Sequence, residues 1–181
     1  MPNPAEGARY RPTSIALHWL MLVLIVGAYA TMELRGYFPK GSDAREAMKA
    51  AHYSIGLSVF VLVWLRVMLR LLTPAARDRA QSGAAKLAAA AVHVGLYALM
   101  IGLPLLGWAI LSAEGKPVPF FAWELPPLLA PSESRAEIFE ELHEAGATAG
   151  YALVALHAAA ALAHHYLLRD DVLRRMLPRR A

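Results

Sequence analysis

The sequence predicts an all-α protein, an integral membrane four-helix bundle in one domain, residues 1–181. Two observations predict this fold. The chain is 57% hydrophobic, with a mean hydropathy of +0.39, well above that of a typical soluble domain. Four segments, at about residues 13–33, 50–71, 87–112 and 142–168, approach or exceed the roughly 20 apolar residues that a helix needs to cross a bilayer.

Composition also excludes several classes of protein. The chain has no cysteine, which excludes disulfide scaffolds, iron–sulfur clusters, thiolate zinc sites and covalent c-type haem attachment. Its net charge of +4 could suit a nucleic acid, but the basic residues lie between apolar runs and not on one polar face. We therefore expect a lipid bilayer and no nucleic acid as partner.

Basic residues are unevenly divided between the two ends of the predicted bundle. The side that holds both termini and the loop between the second and third helices carries eleven Lys and Arg residues, whereas the other side carries six of them and ten of the fourteen acidic residues. Because basic residues accumulate on the cytoplasmic side, both termini are predicted to be cytoplasmic. The eleven are Arg9, Arg11, Arg70, Arg77, Arg79, Lys86, Arg169, Arg174, Arg175, Arg179 and Arg180.

The first helix ends in a sequence that imitates a signal-peptidase site, Ala28-Tyr29-Ala30. The apolar run before it is long enough to be an uncleaved anchor. Cleavage would also remove His18, a candidate ligand. We expect the segment to remain as a transmembrane helix.

The second and third helices place ionisable side chains in the membrane. His52 lies at the outer start of the second helix, and Arg66 follows fourteen residues later on nearly the same face, at inner depth. The third helix carries His93 at inner depth and Pro104, which should kink it. The loop that follows, residues 114–141, has five prolines and is predicted to be irregular but ordered.

The fourth helix carries three histidines on one stripe. His143 and His157 are fourteen residues apart, which corresponds to an angle of about 40° and a rise of about 21 Å. His164 comes two turns further on. The helix therefore places one imidazole near each end of the bilayer core.

All seven histidines lie in or at the edge of predicted helices, where ionisable side chains are costly and usually functional. Depth pairs His18 with His157 near the inner end, and His52 with His143 near the outer end. Bis-imidazole ligation in a helix bundle holds b-type haem without cysteine, and the spacing leaves room for two haems. His93 matches His18 in depth, so a His93–His157 pair remains an alternative. Away from their ends the spans contain no Asp or Glu, which argues against a proton relay or a carboxylate-rich metal site.

Two arginines are candidates for haem binding. A buried arginine needs an anionic partner, and no acidic residue lies at the depth of Arg66. A haem propionate would serve through a charge-assisted contact. Arg70, one turn further on, is either a second propionate partner or a positive-inside anchor.

Four runs of sequence resemble the bacterial di-haem cytochrome b561 family, and within it the superoxide oxidase type. These are Ser14–Trp19 (SIALHW), Met32–Pro39 (MELRGYFP), Leu156–Tyr166 (LHAAAALAHHY) and Arg174–Arg179 (RRMLPR). The resemblance covers nearly the whole chain. It implies a bacterial inner-membrane protein with two haem b groups, one held by His18 and His157 and the other by His52 and His143. It further implies electron transfer from periplasmic superoxide to ubiquinone.

The implied activity suggests further site residues. Superoxide is an anion that enters from the periplasm, so its entry point should be locally cationic, and Arg35 and Lys40 in the first outer loop are the candidates. A quinone at the inner haem needs an aromatic wall and a group that moves protons. Trp19, beside His18, and His164, two turns beyond His157, meet those needs.

Two alternative functions remain at this stage. The chain could be a haem b electron-transfer subunit of a larger membrane oxidoreductase, which equally needs no soluble catalytic domain. A transporter without a redox role is the more distant alternative.

Overall fold

The computed structural model of the chain describes residues 10–72 and 83–178. Within these residues four long helices follow one another: α1 (Pro12–Leu34), α2 (Asp43–Leu72), α3 (Gly83–Ala113) and α4 (Glu133–Tyr166). All four are long and apolar enough to cross a membrane. The predicted four-helix membrane bundle is therefore confirmed.

Part of the predicted topology falls outside the described residues. The connection between α2 and α3 lies there, as do Arg9, Arg77, Arg79, Arg179 and Arg180. Four crossings place the start of α1 and the end of α4 on the same side of the bundle. That this side is cytoplasmic stays a prediction from the count of basic residues.

Short elements complete the two loops on the opposite side. A 3-10 helix, Arg35–Tyr37, follows α1 directly. The loop predicted to be irregular contains a small antiparallel hairpin, β1 (Val118–Phe120) and β2 (Trp123–Leu125). Helix α4 then begins at Glu133, ahead of the predicted span, because its first turns are charged and extend beyond the apolar segment.

The helices pack in a chain. Helix α1 packs on α2, α2 on α3, and α3 on α4, whereas α4 has almost no close backbone contact with α1 or α2 in the described residues. Gly95 and Gly146 allow the close approach of α3 and α4, since a Cβ at either position would press on Leu153 or Leu103 across the interface. A gap therefore separates α4 from the first two helices.

Two small apolar clusters form the core beside this gap. The inner cluster joins α1 and α2 through Leu17, Met21, Val59 and Val63. The outer cluster consists of Leu57, Leu111 and Val118 and attaches the hairpin to α2 and α3. Many other large apolar side chains are exposed, as expected where a helix faces lipid.

Two buried serines fix the outer loop on the helices. Ser54 of α2 accepts a hydrogen bond from the backbone N–H of Phe121 at 2.9 Å. Ser112 of α3, only 1% exposed, accepts one from the N–H of Leu128 at 3.0 Å and donates to the Trp108 carbonyl at 2.8 Å. The hairpin is thus held over the outer end of the gap.

We expect Ser112→Ala to lower the free energy of unfolding in detergent by about 1 kcal/mol, because the N–H of Leu128 loses its acceptor. Ser58→Ala is the matched control, since the Ser58 hydroxyl bonds only to a carbonyl of its own helix. Equal effects of the two substitutions would contradict the anchoring role of Ser112.

Candidate functional site

His52 and His143 face each other across the outer half of the gap. Their ring centres are 6.1 Å apart, at an interplanar angle of 71°. Nδ1 of His52 lies 2.9 Å from the carbonyl oxygen of Ala28 on α1. Because a carbonyl only accepts, this contact assigns the proton to Nδ1 and leaves the lone pair of Nε2 available to a metal.

The imidazole of His143 lies against α3, next to a backbone carbonyl and a glycine. Nδ1 of His143 is buried without a hydrogen bond of good geometry among the described residues, although the Leu103 carbonyl of α3 lies close enough to interact with this imidazole. A Cβ at Gly107 would lie 3.5 Å from Cε1 of His143. Gly107 therefore leaves room for the ring beside α3.

A cavity of about 450 Å³ opens between these two histidines. This volume is in the range of ordinary cofactor pockets. Its wall is mostly apolar, with side chains from α1, α2, α3 and α4. Gly56, one turn after His52, lines the cavity, and a Cβ there would meet open space. The gap in the helix packing is thus a cofactor-sized chamber.

Three histidines meet at the inner half of the gap. The ring centre of His157 lies 6.2 Å from that of His18 on α1 and 5.3 Å from that of His93 on α3. The structure thus brings His157 together with both of the partners that the sequence left open.

The ring separations test whether these pairs fit an iron ion between two imidazoles. Two metal–nitrogen bonds of about 2 Å, and about 1 Å from each nitrogen to its ring centre, require a separation of roughly 6 Å. The His52–His143 pair at 6.1 Å and the His18–His157 pair at 6.2 Å meet this requirement. The His93–His157 pair is shorter, at 5.3 Å. The geometry therefore favours His18 over His93.

Each of the two pairs, His52–His143 and His18–His157, provides two imidazole nitrogens as possible ligands of a metal. The described residues contain no group of three or more His, Cys, Asp or Glu side chains that could hold a metal ion unaided. Two axial nitrogens are what a haem iron takes from the protein in a bis-histidine site, since its macrocycle supplies the other ligands. Both pairs consequently fit haem.

Arg66 lies beside the inner histidines. Its Nε donates to the hydroxyl of Tyr97 on α3 at 3.2 Å, and its charge acts on both His18 and His157. Within the described part of the chain Arg66 makes no ion pair. Arg70 is more exposed, and its charge acts on His93.

The two candidate cations of the outer loop differ in position. Arg35 is half-buried and lines the outer cavity. The guanidinium of Arg45 holds the loop by donating to the carbonyls of Arg35 and Phe38 at 3.0 and 3.1 Å. Lys40 is exposed and does not line the cavity. The structure therefore brings Arg35, but not Lys40, to the outer histidine pair.

Trp19 and His164 both contact the segment that follows α4. The indole N–H of Trp19 donates to the Met176 carbonyl at 2.7 Å, so that only the ring face remains available to a ligand. Nδ1 of His164 lies 2.5 Å from a carboxylate oxygen of Asp170. Asp170 also accepts a hydrogen bond from the N–H of Val172 at 3.1 Å. This imidazole–carboxylate pair can hold and pass on a proton.

A pair of tyrosines, which we call the tyrosine clasp, joins α1 to α4 beside the outer cavity. Tyr29 of α1 donates to the Ala147 carbonyl at 2.8 Å, and Tyr151 of α4 donates to the Glu33 carboxylate at 2.9 Å. The two rings are 4.2 Å apart. A side chain at Gly150 would collide with the Tyr29 hydroxyl, so a glycine is required there.

Several residues of the site are not identifiable from the sequence, because they act through contacts between distant parts of the chain. These are Gly107, Tyr97 and the two residues of the tyrosine clasp. The one local signal was the short spacing between His164 and Asp170, which allows a side chain after a helix end to fold back on the last turn.

Comparisons with known proteins match this chain along nearly its whole length. A family model described as prokaryotic cytochrome b561 matches residues 9–179. Cytochrome b561 homolog 1 of Escherichia coli (strain K12) is 39% identical over 174 residues, which are 95% of this chain and 98% of that protein. A probable superoxide oxidase CybB of Yersinia pestis is 34% identical over 177 residues, 95% of this chain and 97% of that protein. Cytochrome b561 homolog 2 of Escherichia coli (strain K12) is 32% identical over 174 residues, with coverages of 93% and 91%.

The His164–Asp170 contact predicts a pH-dependent contribution to stability. Burial raises the pKa of Asp170, but the hydrogen bonds from His164 and from the Val172 N–H outweigh it, so that this pKa lies below its ordinary value of 3.8. A lowered pKa means that folding favours the ionised carboxylate. Its contribution is therefore present above pH 3.8 and is lost as the pH falls through the pKa of the folded protein.

We expect Asp170→Asn to lower the unfolding temperature at pH 7 by about 4 °C, which corresponds to the lower end of the effect of one hydrogen bond to a charged group. The difference from the wild type should vanish at acidic pH. Asp171→Asn is the control, because that carboxylate only approaches Arg174 at 3.7 Å. A difference that persists unchanged below the pKa of Asp170 would rule out the charged pair as its cause.

Proposed function

The chain belongs to the prokaryotic cytochrome b561 family, and from that premise we propose that it is a superoxide:ubiquinone oxidoreductase. As a member of this family it is a multi-pass protein of the bacterial inner membrane that binds haem b and transfers electrons. The proposal adds the electron donor, the acceptor and the residues that serve each.

The proposed reaction oxidises two superoxide anions to two molecules of dioxygen on the outer side. The two electrons, with two protons, reduce one ubiquinone to ubiquinol. A relative with the printed name probable superoxide oxidase, 34% identical over 95% of this chain, supports this choice of donor. The cationic Arg35 at the outer cavity supports it independently, because the donor is an anion.

The two imidazole pairs carry the proposal. His52 and His143 would hold an outer haem b and His18 and His157 an inner one, because both ring separations leave room for one iron between two imidazole nitrogens. Bound haem supplies the reversible one-electron chemistry of its iron. Arg66, which makes no ion pair within the described residues, would neutralise a propionate of the inner group, with Arg70 as a second partner.

At the outer side the protein must attract superoxide and bring it to the cavity. Arg35 lines the cavity, and Arg45 fixes the backbone from which it extends. Lys40, exposed on the same loop, adds to the local positive potential without reaching the cavity. Contact with the anion therefore belongs to Arg35, and longer-range attraction to Lys40.

At the inner side the protein must bind a quinone ring and supply protons. The ring of Trp19 lies beside His18, with a centre-to-centre distance of 5.6 Å, and can form an aromatic wall. His164 would give a proton to the quinone oxygen. Asp170, in contact with Nδ1 of His164, would stabilise the imidazolium and restore its proton from the aqueous side.

A pyridine-haemochrome assay tests the assignment of the ligands. We expect two haems b per chain in the wild type and one in His52→Ala and in His18→Ala, because each substitution removes one axial nitrogen. His93→Ala is the matched control and should retain both. A loss of haem in His93→Ala with retention in His18→Ala would reverse the inner assignment.

Stopped-flow mixing of the purified protein with superoxide tests the donor. We expect rapid haem reduction that superoxide dismutase abolishes. Reduction no faster than in the dismutase control would refute the proposed donor and favour a haem subunit of a larger oxidoreductase.

The same assay separates the roles of the outer cations. We expect Arg35→Gln to slow reduction by roughly three- to tenfold at low salt, Lys40→Gln to slow it less, and both differences to shrink as salt screens the charges. Arg135→Gln removes an outer charge whose guanidinium caps the Ala130 carbonyl, and should leave the rate unchanged. Equal rates for Arg35→Gln and Arg135→Gln would exclude Arg35 from the entry site.

A further inference from the structure

A second cavity, of about 340 Å³, lies just beyond the end of α4. It is polar and is separate from both histidine pairs. Five residues line it: His165, Tyr166, Arg169, Asp170 and Arg174. It opens on the side of the bundle that holds both termini, where α4 leaves the membrane.

The groups around this cavity favour an anion. Two guanidinium groups, an imidazole and a phenol line it, and the one carboxylate, that of Asp170, is engaged by His164 and the Val172 N–H. Nδ1 of His165 is buried and has no hydrogen-bond partner among the described residues. A buried polar atom of this kind needs a ligand or a water to complete it. Arg174 already approaches the Asp171 carboxylate at 3.7 Å, so that the Arg169 guanidinium and Nδ1 of His165 are the groups of the lining to which a further anion can bind.

The backbone at Arg169 is strained. Its φ of +54° belongs to the left-handed region, which favours glycine and commonly ends a helix. An arginine with a Cβ is unfavourable there. Residues held in such conformations cluster at sites where the side chain is used. The side chain of Arg169 lines the cavity, so we infer that the strained backbone serves to place this guanidinium there.

The neighbouring surface is apolar. Leu167 and Leu168, between the end of α4 and Arg169, are 79% and 66% exposed. Exposed leucines beside two arginines at a helix end match the boundary between acyl chains and headgroups. A ligand with an anionic phosphate and an apolar chain would contact both surfaces at once.

We propose that this cavity binds the phosphate headgroup of an anionic phospholipid. The Arg169 guanidinium forms charge-assisted hydrogen bonds with the phosphate, His165 adds a donor, and Arg174 contributes positive charge nearby. The acyl chains lie along Leu167 and Leu168. The site goes beyond the proposed electron transfer and depends only on the protein being in a membrane.

Native mass spectrometry of the haem-loaded protein, titrated with phosphatidylglycerol or phosphatidylcholine, tests this site. We expect Arg169→Gly to weaken phosphatidylglycerol binding by about fivefold, the effect of one basic residue near an anionic surface. The unfolding temperature without added lipid should equal or exceed that of the wild type, because glycine suits the φ of +54°. A weaker affinity therefore cannot be attributed to misfolding.

Two further variants complete the test. Arg169→Lys should retain most of the affinity, because it keeps the charge. Arg11→Gln removes an exposed charge on the same side of the bundle, away from the cavity, and should change nothing. Equal binding of phosphatidylglycerol by the wild type and Arg169→Gly, or equal affinity for the two lipids, would overturn the proposal.

A last arm separates a lipid from a soluble anion. Inorganic phosphate at millimolar concentration should raise the unfolding temperature much less than phosphatidylglycerol does. An equal rise would make the cavity a site for free phosphate and would also overturn the lipid proposal. None of these measurements uses superoxide or quinone, so their failure and that of the proposed function are distinguishable.

Discussion

The separation of α4 from α1 and α2 is the constraint on which the rest of the structure depends. In lipid, helices associate through close packing of small residues, as α3 and α4 do at Gly95 and Gly146. Helix α4 has almost no close backbone packing against α1 and α2, the helices that carry His18 and His52, within the described residues. The imidazole pairs at 6.1 and 6.2 Å span that space, so contacts between side chains take the place of close helix–helix packing there.

Polar contacts around the gap keep its width. The tyrosine clasp holds α1 and α4 together on one side of the outer half, and the buried serines Ser54 and Ser112 hold the hairpin over its end. At the inner half, Tyr97 on α3 accepts from Arg66 on α2. Such bonds are favourable in a membrane because their groups have no water to bond instead. The outer chamber is therefore bounded by hydrogen bonds as well as by apolar packing.

Periodicity in the sequence predicted much of this arrangement. Helical spacing placed His143 and His157 on one face of α4 and matched them in depth with His52 and His18, because a transmembrane helix is regular and its length is set by the bilayer. Depth in the membrane could not decide whether His18 or His93 is the partner of His157, because both lie at the same level. The family resemblance favours His18, and so do the ring separations, which depend on how three helices pack.

Features that depend on loops or on distant contacts were beyond the sequence. The hairpin in the outer loop was not predicted because its strands have three residues each and lie in a proline-rich stretch, with Pro119 inside β1 itself. The different positions of Arg35 and Lys40 follow from the 3-10 turn that Arg45 fixes. The superoxide and quinone residues likewise stay proposals, because no periodic pattern identifies a small diffusing ligand.

The tyrosine clasp determines how easily the outer chamber opens between α1 and α4. Its two hydrogen bonds contribute on the order of 1 kcal/mol each, little enough to open by thermal motion. The outer chamber is otherwise closed by helices that are stable on their own in lipid. On this side the loss of only two hydrogen bonds opens the outer chamber toward the bilayer. A ligand of the chamber therefore has a lateral route through the bilayer that does not require any helix to unfold.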